Sequence, residues 1–126
     1  VYSALKRFLL FFLLVASGPA MAHELIPTYP KLEQSYVPNV YQTKVKMWNG
    51  RIDVEYYKVE VTDSEWNPVP FITNEQIFRL EYMERRDIEI FVPSSSKVTY
   101  ICTRSMLEKG NPQKSVISSK VCSKIK

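Results

Sequence analysis

The chain has 126 residues, with 17 lysines and arginines against 13 aspartates and glutamates and a formal net charge of +4. Lys6 and Arg7 supply two of those charges, so residues 23–126 carry only +2, too little to imply a polyanionic partner such as nucleic acid. One histidine, three isolated glycines and two cysteines exclude a multi-histidine metal site, a glycine-rich phosphate loop and a dense disulfide scaffold. The abundance of Tyr, Val and Ile favours strands over helices.

Residues 1–22 read as a cleavable export signal. Lys6 and Arg7 form its charged start, residues 8–15 (FLLFFLLV) its apolar core, and Gly18-Pro19 stops the helix ahead of Ala20-Met21-Ala22. The apolar run is shorter than the roughly 20 residues that cross a bilayer. The residue directly after Ala22 is His23, not a cysteine that could accept a lipid. Cleavage after Ala22 is expected, leaving residues 23–126 as one exported domain of roughly 100 residues.

Residues 23–38 carry three prolines and predict an irregular or edge-strand approach rather than a central strand. Residues 41–48 (YQTKVKMW) alternate, with Tyr41, Thr43, Val45 and Met47 on one face and Gln42, Lys44 and Lys46 on the other, the period of a half-buried strand. Asn49-Gly50 predicts a hairpin that returns at Arg51. Residues 52–61 alternate in two phases that break at Tyr56-Tyr57, which predicts a bulge. Residues 63–70 (DSEWNPVP) read as a connection anchored by Trp66. Residues 77–80 and 86–92 predict short strands, the second with Ile88, Ile90 and Val92 inward. Residues 97–103 (KVTYICT) are dense in β-branched and aromatic residues, and residues 115–125 predict a last strand with Ile117, Val121 and Ile125 along one side. The fold class that follows is all-β: an immunoglobulin-like sandwich of about seven strands, with a small closed barrel as the competing architecture.

Cys102 and Cys122 are the only cysteines, and in an exported chain they predict one disulfide stapling the last two strands across Gly110-Asn111-Pro112. The two cysteines share their faces with residues of opposite expected burial, Val98 and Tyr100 for one and Ser118 and Lys120 for the other, which calls for a bulge or strand twist between them.

This order of strands resembles the N-terminal domain of periplasmic pilus chaperones. The likeness is carried by residues 41–49 (YQTKVKMWN), 54–66 (VEYYKVEVTDSEW), 77–92 (IFRLEYMERRDIEIFV), 99–106 (TYICTRSM) and 120–126 (KVCSKIK). The resemblance implies a sandwich whose last strand completes the fold of a partner subunit, with basic residues holding a carboxylate; Lys120 and Lys126 both match the last-strand lysine. Through residues 23–30 (HELIPTYP) and 118–126 (SSKVCSKIK) the chain also resembles short exported proteins of marine tailed bacteriophages, which implies a virion or host-envelope setting.

Candidate chemistry is sparse. His23, with its amine freed by cleavage, is a weak candidate copper ligand. A hydrolytic triad lacks a base, and the carboxylates Asp53, Glu55 and Glu60, or Glu81, Glu84 and Asp87, alternate with apolar residues as a solvated face does. Lys44, Lys46 and Lys58 with Tyr41, Tyr56 and Tyr57 suggest a stacking surface for nucleic acid, a protein or a glycan, and the low net charge speaks against nucleic acid. The expected function is a non-enzymatic, cofactor-free, periplasmic or secreted protein-binding module, with no nucleic-acid partner and no stable membrane insertion after cleavage. It acts through an edge strand, with Ile117, Lys120, Val121 and Ile125 at the contact, on another protein such as an envelope or fibre subunit. A structural envelope or virion component without separable activity is the alternative.

Overall fold

In the computed structural model, residues 23–106 and 118–126 are described. They form nine strands: β1 (His23–Ile26), β2 (Glu33–Gln34), β3 (Val40–Asn49), β4 (Tyr56–Thr62), β5 (Ile72–Thr73), β6 (Ile77–Arg79), β7 (Arg85–Pro93), β8 (Tyr100–Ser105) and β9 (Lys120–Lys124). The two-residue strands β2 and β5 account for the excess over the seven that the sequence predicts. One sheet runs β1-β3-β7-β5, with β2 sharing the β1 flank of β3; the other runs β6-β4-β8-β9, and all pairings are antiparallel. Two separate sheets make a sandwich, not a closed barrel.

Period-2 alternation decides what fills the space between the sheets. Val45 and Met47 of β3 with Ile88, Ile90 and Val92 of β7 face Tyr57, Val59 and Val61 of β4 and Ile101 of β8, all buried. At one end the half-buried Arg86 lies 4.7 Å over the Phe78 ring and pairs with Glu75 at 3.1 Å.

Three expectations need correction. Asn49-Gly50 makes no hairpin: β3 pairs with β7, and the chain after Asn49 crosses to the other sheet. A tight hairpin of that kind needs positive φ at Asn49, yet Asn49 ends a strand and positive φ falls instead on Asn39, Trp66 and Met83. The predicted bulge at Tyr56-Tyr57 is also absent, because β4 begins at Tyr56. The earlier phase belongs to the crossing, where Ile52 is 74% exposed and Val54 is buried. Third, the two cysteines need no bulge. Cys102 lies directly opposite Cys122, and both point to the outer face together with Tyr100, Arg104, Lys120 and Lys124. Their disulfide closes a separation of 20 residues, worth about 3 kcal/mol if the gain is loss of chain entropy in the unfolded state.

Asn49 ties the crossing to the core. Its Nδ2 donates to the carbonyls of Val54 (2.9 Å) and Leu80 (2.8 Å), and its Oδ1 accepts from the Arg51 amide and the Tyr57 hydroxyl. Burial raises the Tyr57 pKa to about 12, so the phenol stays a donor. Arg51 forms a two-point pair with Asp53, Nε to Oδ1 at 2.9 Å and Nη2 to Oδ2 at 2.6 Å, and this hydrogen bonding holds the Asp53 carboxyl below its ordinary pKa.

Candidate protein-binding edge

The β9 strand closes one side of its sheet, and its backbone register decides which groups face outward. The Ser105 amide donates to the Ser119 carbonyl (2.9 Å) and the Ile125 amide to Thr99 (2.8 Å), so Ser119, Val121, Ser123 and Ile125 turn their backbone groups toward β8. Lys120, Cys122, Lys124 and Lys126 therefore turn theirs away. The opposed cysteines sit at a non-hydrogen-bonded position, in keeping with a Cα separation of 4.0 Å.

The outward groups divide into two halves. Lys124 N donates to Thr28 O (2.9 Å), Lys126 N to Pro30 O (3.0 Å), and the Ser123 hydroxyl to Pro27 O (2.8 Å), so the segment after β1 straps the C-terminal half of the edge. Among the described residues the outward amides of Lys120 and Cys122 have no acceptor. An unpaired strand edge is a template for another strand.

Val121 and Ile125 are half-buried and pack against the chain's own core, while the Lys120 side chain lies on the outer face. Ile117 lies outside the described residues. The structure thus brings Lys120 and Val121 onto β9 and leaves Ile125 just past its end, with Val121 and Ile125 assigned inward. Lys126 joins the strap through its backbone.

Beside the edge is a patch the sequence did not single out as a unit. Asp63 Oδ1 accepts the amides of Glu65 and Asn67, both at 2.9 Å, which lowers the Asp63 pKa and closes a tight turn. The turn holds Trp66 at φ 66°, a left-handed conformation that costs a non-glycine residue about 1 kcal/mol. Trp66 nonetheless stays 50% exposed. Its ring stacks on Tyr100 (4.1 Å between centroids, 6° between planes), and Lys120 Nζ sits 4.7 Å from the ring centre. Glu60 Oε1 accepts from Arg104 Nε at 3.2 Å, and its Oε2 lies 4.0 Å from Lys120 Nζ. The sequence predicts Trp66 as an anchor, but its stack on Tyr100 depends on register that no local pattern encodes.

The remaining candidates are placed elsewhere. His23 is 2% exposed, with Nε2 3.0 Å from Thr103 O, Nδ1 3.1 Å from Ser119 Oγ and its ring 4.9 Å from that of Tyr57. A carbonyl only accepts, so Nε2 carries the proton and Nδ1 accepts from the serine hydroxyl. Burial lowers the His23 pKa, and the nearby Arg51 charge lowers it further. Among the described residues no group of three His, Cys, Asp or Glu could hold a metal. Five of the six candidate carboxylates sit in ion pairs, Asp87 with Lys44 and Lys46, Glu55 and Glu81 with Arg79, Asp53 with Arg51 and Glu60 with Arg104 and Lys120, while Glu84 Oε1 accepts the Glu81 amide at 2.9 Å. Of the three tyrosines, Tyr57 is in the core, Tyr41 packs against it, and Tyr56 is on the outer face.

No family model and no curated protein matches the sequence. Solved structures do match. The E. coli chaperone DraB aligns at a TM-score of 0.62 and 17% identity, over 83% of this chain and 53% of that one. A chain from the complex of the Salmonella enterica SafA pilin with the SafB chaperone aligns at a TM-score of 0.62 and 14% identity, over 86% of this chain and 55% of that one. The present chain spans about half the length of the chains it matches. At such identities the likeness is one of fold, and the resemblance to pilus-chaperone immunoglobulin-like domains holds at that level.

Proposed function

We propose that the chain is an exported, non-enzymatic, chaperone-like binding module that adds a strand of another protein to the open half of the β9 edge. The observation that carries this reading is the pair of outward amides at Lys120 and Cys122, left without acceptors among the described residues on a strand whose other half is strapped. Support also comes from the fold of pilus chaperones, one of which is seen in complex with a pilin. The partner is then an envelope or fibre subunit. The Cys102–Cys122 disulfide suits an oxidising compartment, the periplasm or the exterior, reached through cleavage of residues 1–22. Residues 23–126 constitute the working domain.

Lys120→Pro tests the mechanism. The Lys120 amide is not part of the β8–β9 ladder, and proline is tolerated at the first residue of an edge strand, so the substitution removes a donor to the partner while sparing the fold. Lys120→Ala keeps the amide and controls for the lost charge. Full-length chain is expressed in a Gram-negative host and recovered from the periplasm, and its N-terminus and bound proteins are identified by mass spectrometry. The expected result is a His23 start and a partner held by wild type and Lys120→Ala but lost from Lys120→Pro. Retention by Lys120→Pro overturns strand addition. Charging Val121 is less informative, because Val121 also packs on the chain's own core.

A further inference from the structure

We infer that two copies of this chain join through an open stretch of β7, antiparallel about a two-fold axis at Asp87, with Arg85 of each copy opposite Glu89 of the other. The opening lies on the flank of β7 away from β3. The Asn49 amide donates to the Glu84 carbonyl (3.1 Å) and the Ser94 amide to the Asn39 carbonyl (2.9 Å), which fixes the phase of the β3–β7 ladder. Ile88, Ile90 and Val92 therefore turn their backbone groups toward β3, and Arg85, Asp87, Glu89 and Phe91 turn theirs away. Phe91 is met by Ile72 of β5. Among the described residues the outward amides of Arg85, Asp87 and Glu89 have no acceptor, so β7 offers a strand template on a different sheet from β9.

The stretch is closed at both ends, and its length fits a copy of itself. β5 fills the flank at Ile90 and Phe91. Ahead of Arg85 the chain turns back at Met83 (φ 70°), whose amide donates to the Asn49 carbonyl at 2.7 Å. Residues 85–89 remain, and the same segment of a second copy, run antiparallel, meets every outward amide with a carbonyl. The next register in one direction opposes Asp87 to Glu89, and in the other sets Glu89 against the turn. In the matched register each turn falls beside the other copy's β5. Tyr82 and Met83, exposed on the turn, then cover Ile72, which is 72% exposed in the single chain.

Charge selects the second copy as the occupant. Arg85, Asp87 and Glu89 are exposed on the outer face of the first sheet. Lys44 lies across the ladder from Glu89 but reaches Asp87 instead, at 3.3 Å. Among the described residues neither Arg85 nor Glu89 has an ion-pair partner, and the join supplies both, at each end. The two Asp87 carboxylates meet at the axis, where each is offset by its own Lys44 and Lys46 at 3.3 and 3.7 Å. The β9 edge has no such self-complementarity. Lys58, Arg104 and Lys120 form a row of directly opposed cations across the second sheet, and a copy centred on Cys122 sets Lys120 against Lys124. The join at β7 is thus independent of strand addition at β9 and leaves that edge open in both copies.

The test uses the protein recovered after expression of the full chain in a Gram-negative host. Self-association is measured by sedimentation equilibrium over a concentration series, and edge pairing by hydrogen exchange of single amides. Wild type is expected to dimerise, with the Asp87 and Glu89 amides protected as concentration rises. Arg85→Glu and Glu89→Arg change exposed side chains that hold nothing within the chain, and each sets like charges at both ends of the join. Each alone is expected to weaken the dimer about tenfold. An equimolar mixture of the two restores it, because opposite charges then meet at both ends of the mixed pair. A monomer at every concentration overturns the inference, as does a dimer that either single variant leaves unchanged. Loss without recovery on mixing overturns it too. Protection of Lys120 and Cys122 in place of Asp87 and Glu89 moves the join to β9, and protection of Asp87 and Glu89 only alongside a co-purified protein replaces the second copy with that protein; both overturn it.

Discussion

The two faces of the β8–β9 ladder carry polar residues to opposite ends. On the inner face Ser105 and Ser119 are consumed within the chain: Ser105 Oγ accepts from the Ser119 amide at 2.7 Å, Arg51 Nη1 lies 3.4 Å from both hydroxyls, and Ser119 completes the hydrogen bonding of His23. On the outer face, one residue away along the same strands, Arg104 and Lys120 share a single carboxylate, and the edge amides of Lys120 and Cys122 have no acceptor among the described residues. Buried polar groups are stable only when paired, whereas exposed ones carry spare capacity at little cost. The inner set is therefore read as structure, and the outer set as contact surface.

The strongest way to break this comparison is to disable the inner network at its centre. Asn49→Ala removes the partner of four groups, the Val54 and Leu80 carbonyls, the Arg51 amide and the Tyr57 hydroxyl. The expected loss is about 4 kcal/mol in urea unfolding, since the orphaned groups include buried ones. A loss below about 1 kcal/mol would mean that water replaces the side chain and that the inner set is as adaptable as the outer.

A smaller effect follows from His23. Burial and the Arg51 charge favour the neutral ring, so its pKa in the folded chain lies below the ordinary 6.5. The unfolded chain then binds the proton more readily. The contribution of His23 is fully present above about pH 6.5 and is lost as the pH falls toward and through the lowered folded value. Unfolding free energy measured from about pH 7 to about pH 5 should decline, and His23→Gln should flatten the slope over that window. A flat wild-type profile would place the ring in contact with solvent and remove it from the inner set.

Much of the fold is written in alternation. Val45 and Met47, and Ile88, Ile90 and Val92, face inward as their spacing requires, because a strand with one wet face has one solution. What alternation does not encode is which strand lies beside which. Asn49-Gly50 has the local chemistry of a hairpin, yet burying Asn49 against Tyr57 and two carbonyls competes with a turn, and tertiary pairing prevails. The site was legible in part. Lys120 and Val121 fall on an edge strand and Ile125 just beyond it, but the strap at Thr28 and Pro30 and the cation row through Lys58 and Arg104 arise from long-range register.

The finest test lies within the inner face itself, where Thr103 departs from its neighbours. Its carbonyl serves His23, but its buried hydroxyl has no partner among the described residues, unlike Ser105 one position along that face. Valine keeps the β-branched shape and leaves the carbonyl in place, so Thr103→Val deletes only the unpaired hydroxyl. Desolvating such a group without a partner costs about 1 kcal/mol, and the variant should be more stable by about that amount. Destabilisation instead would show that the hydroxyl is bonded in solution, making every inner polar group of β8 structural and drawing the boundary between the two faces more sharply still.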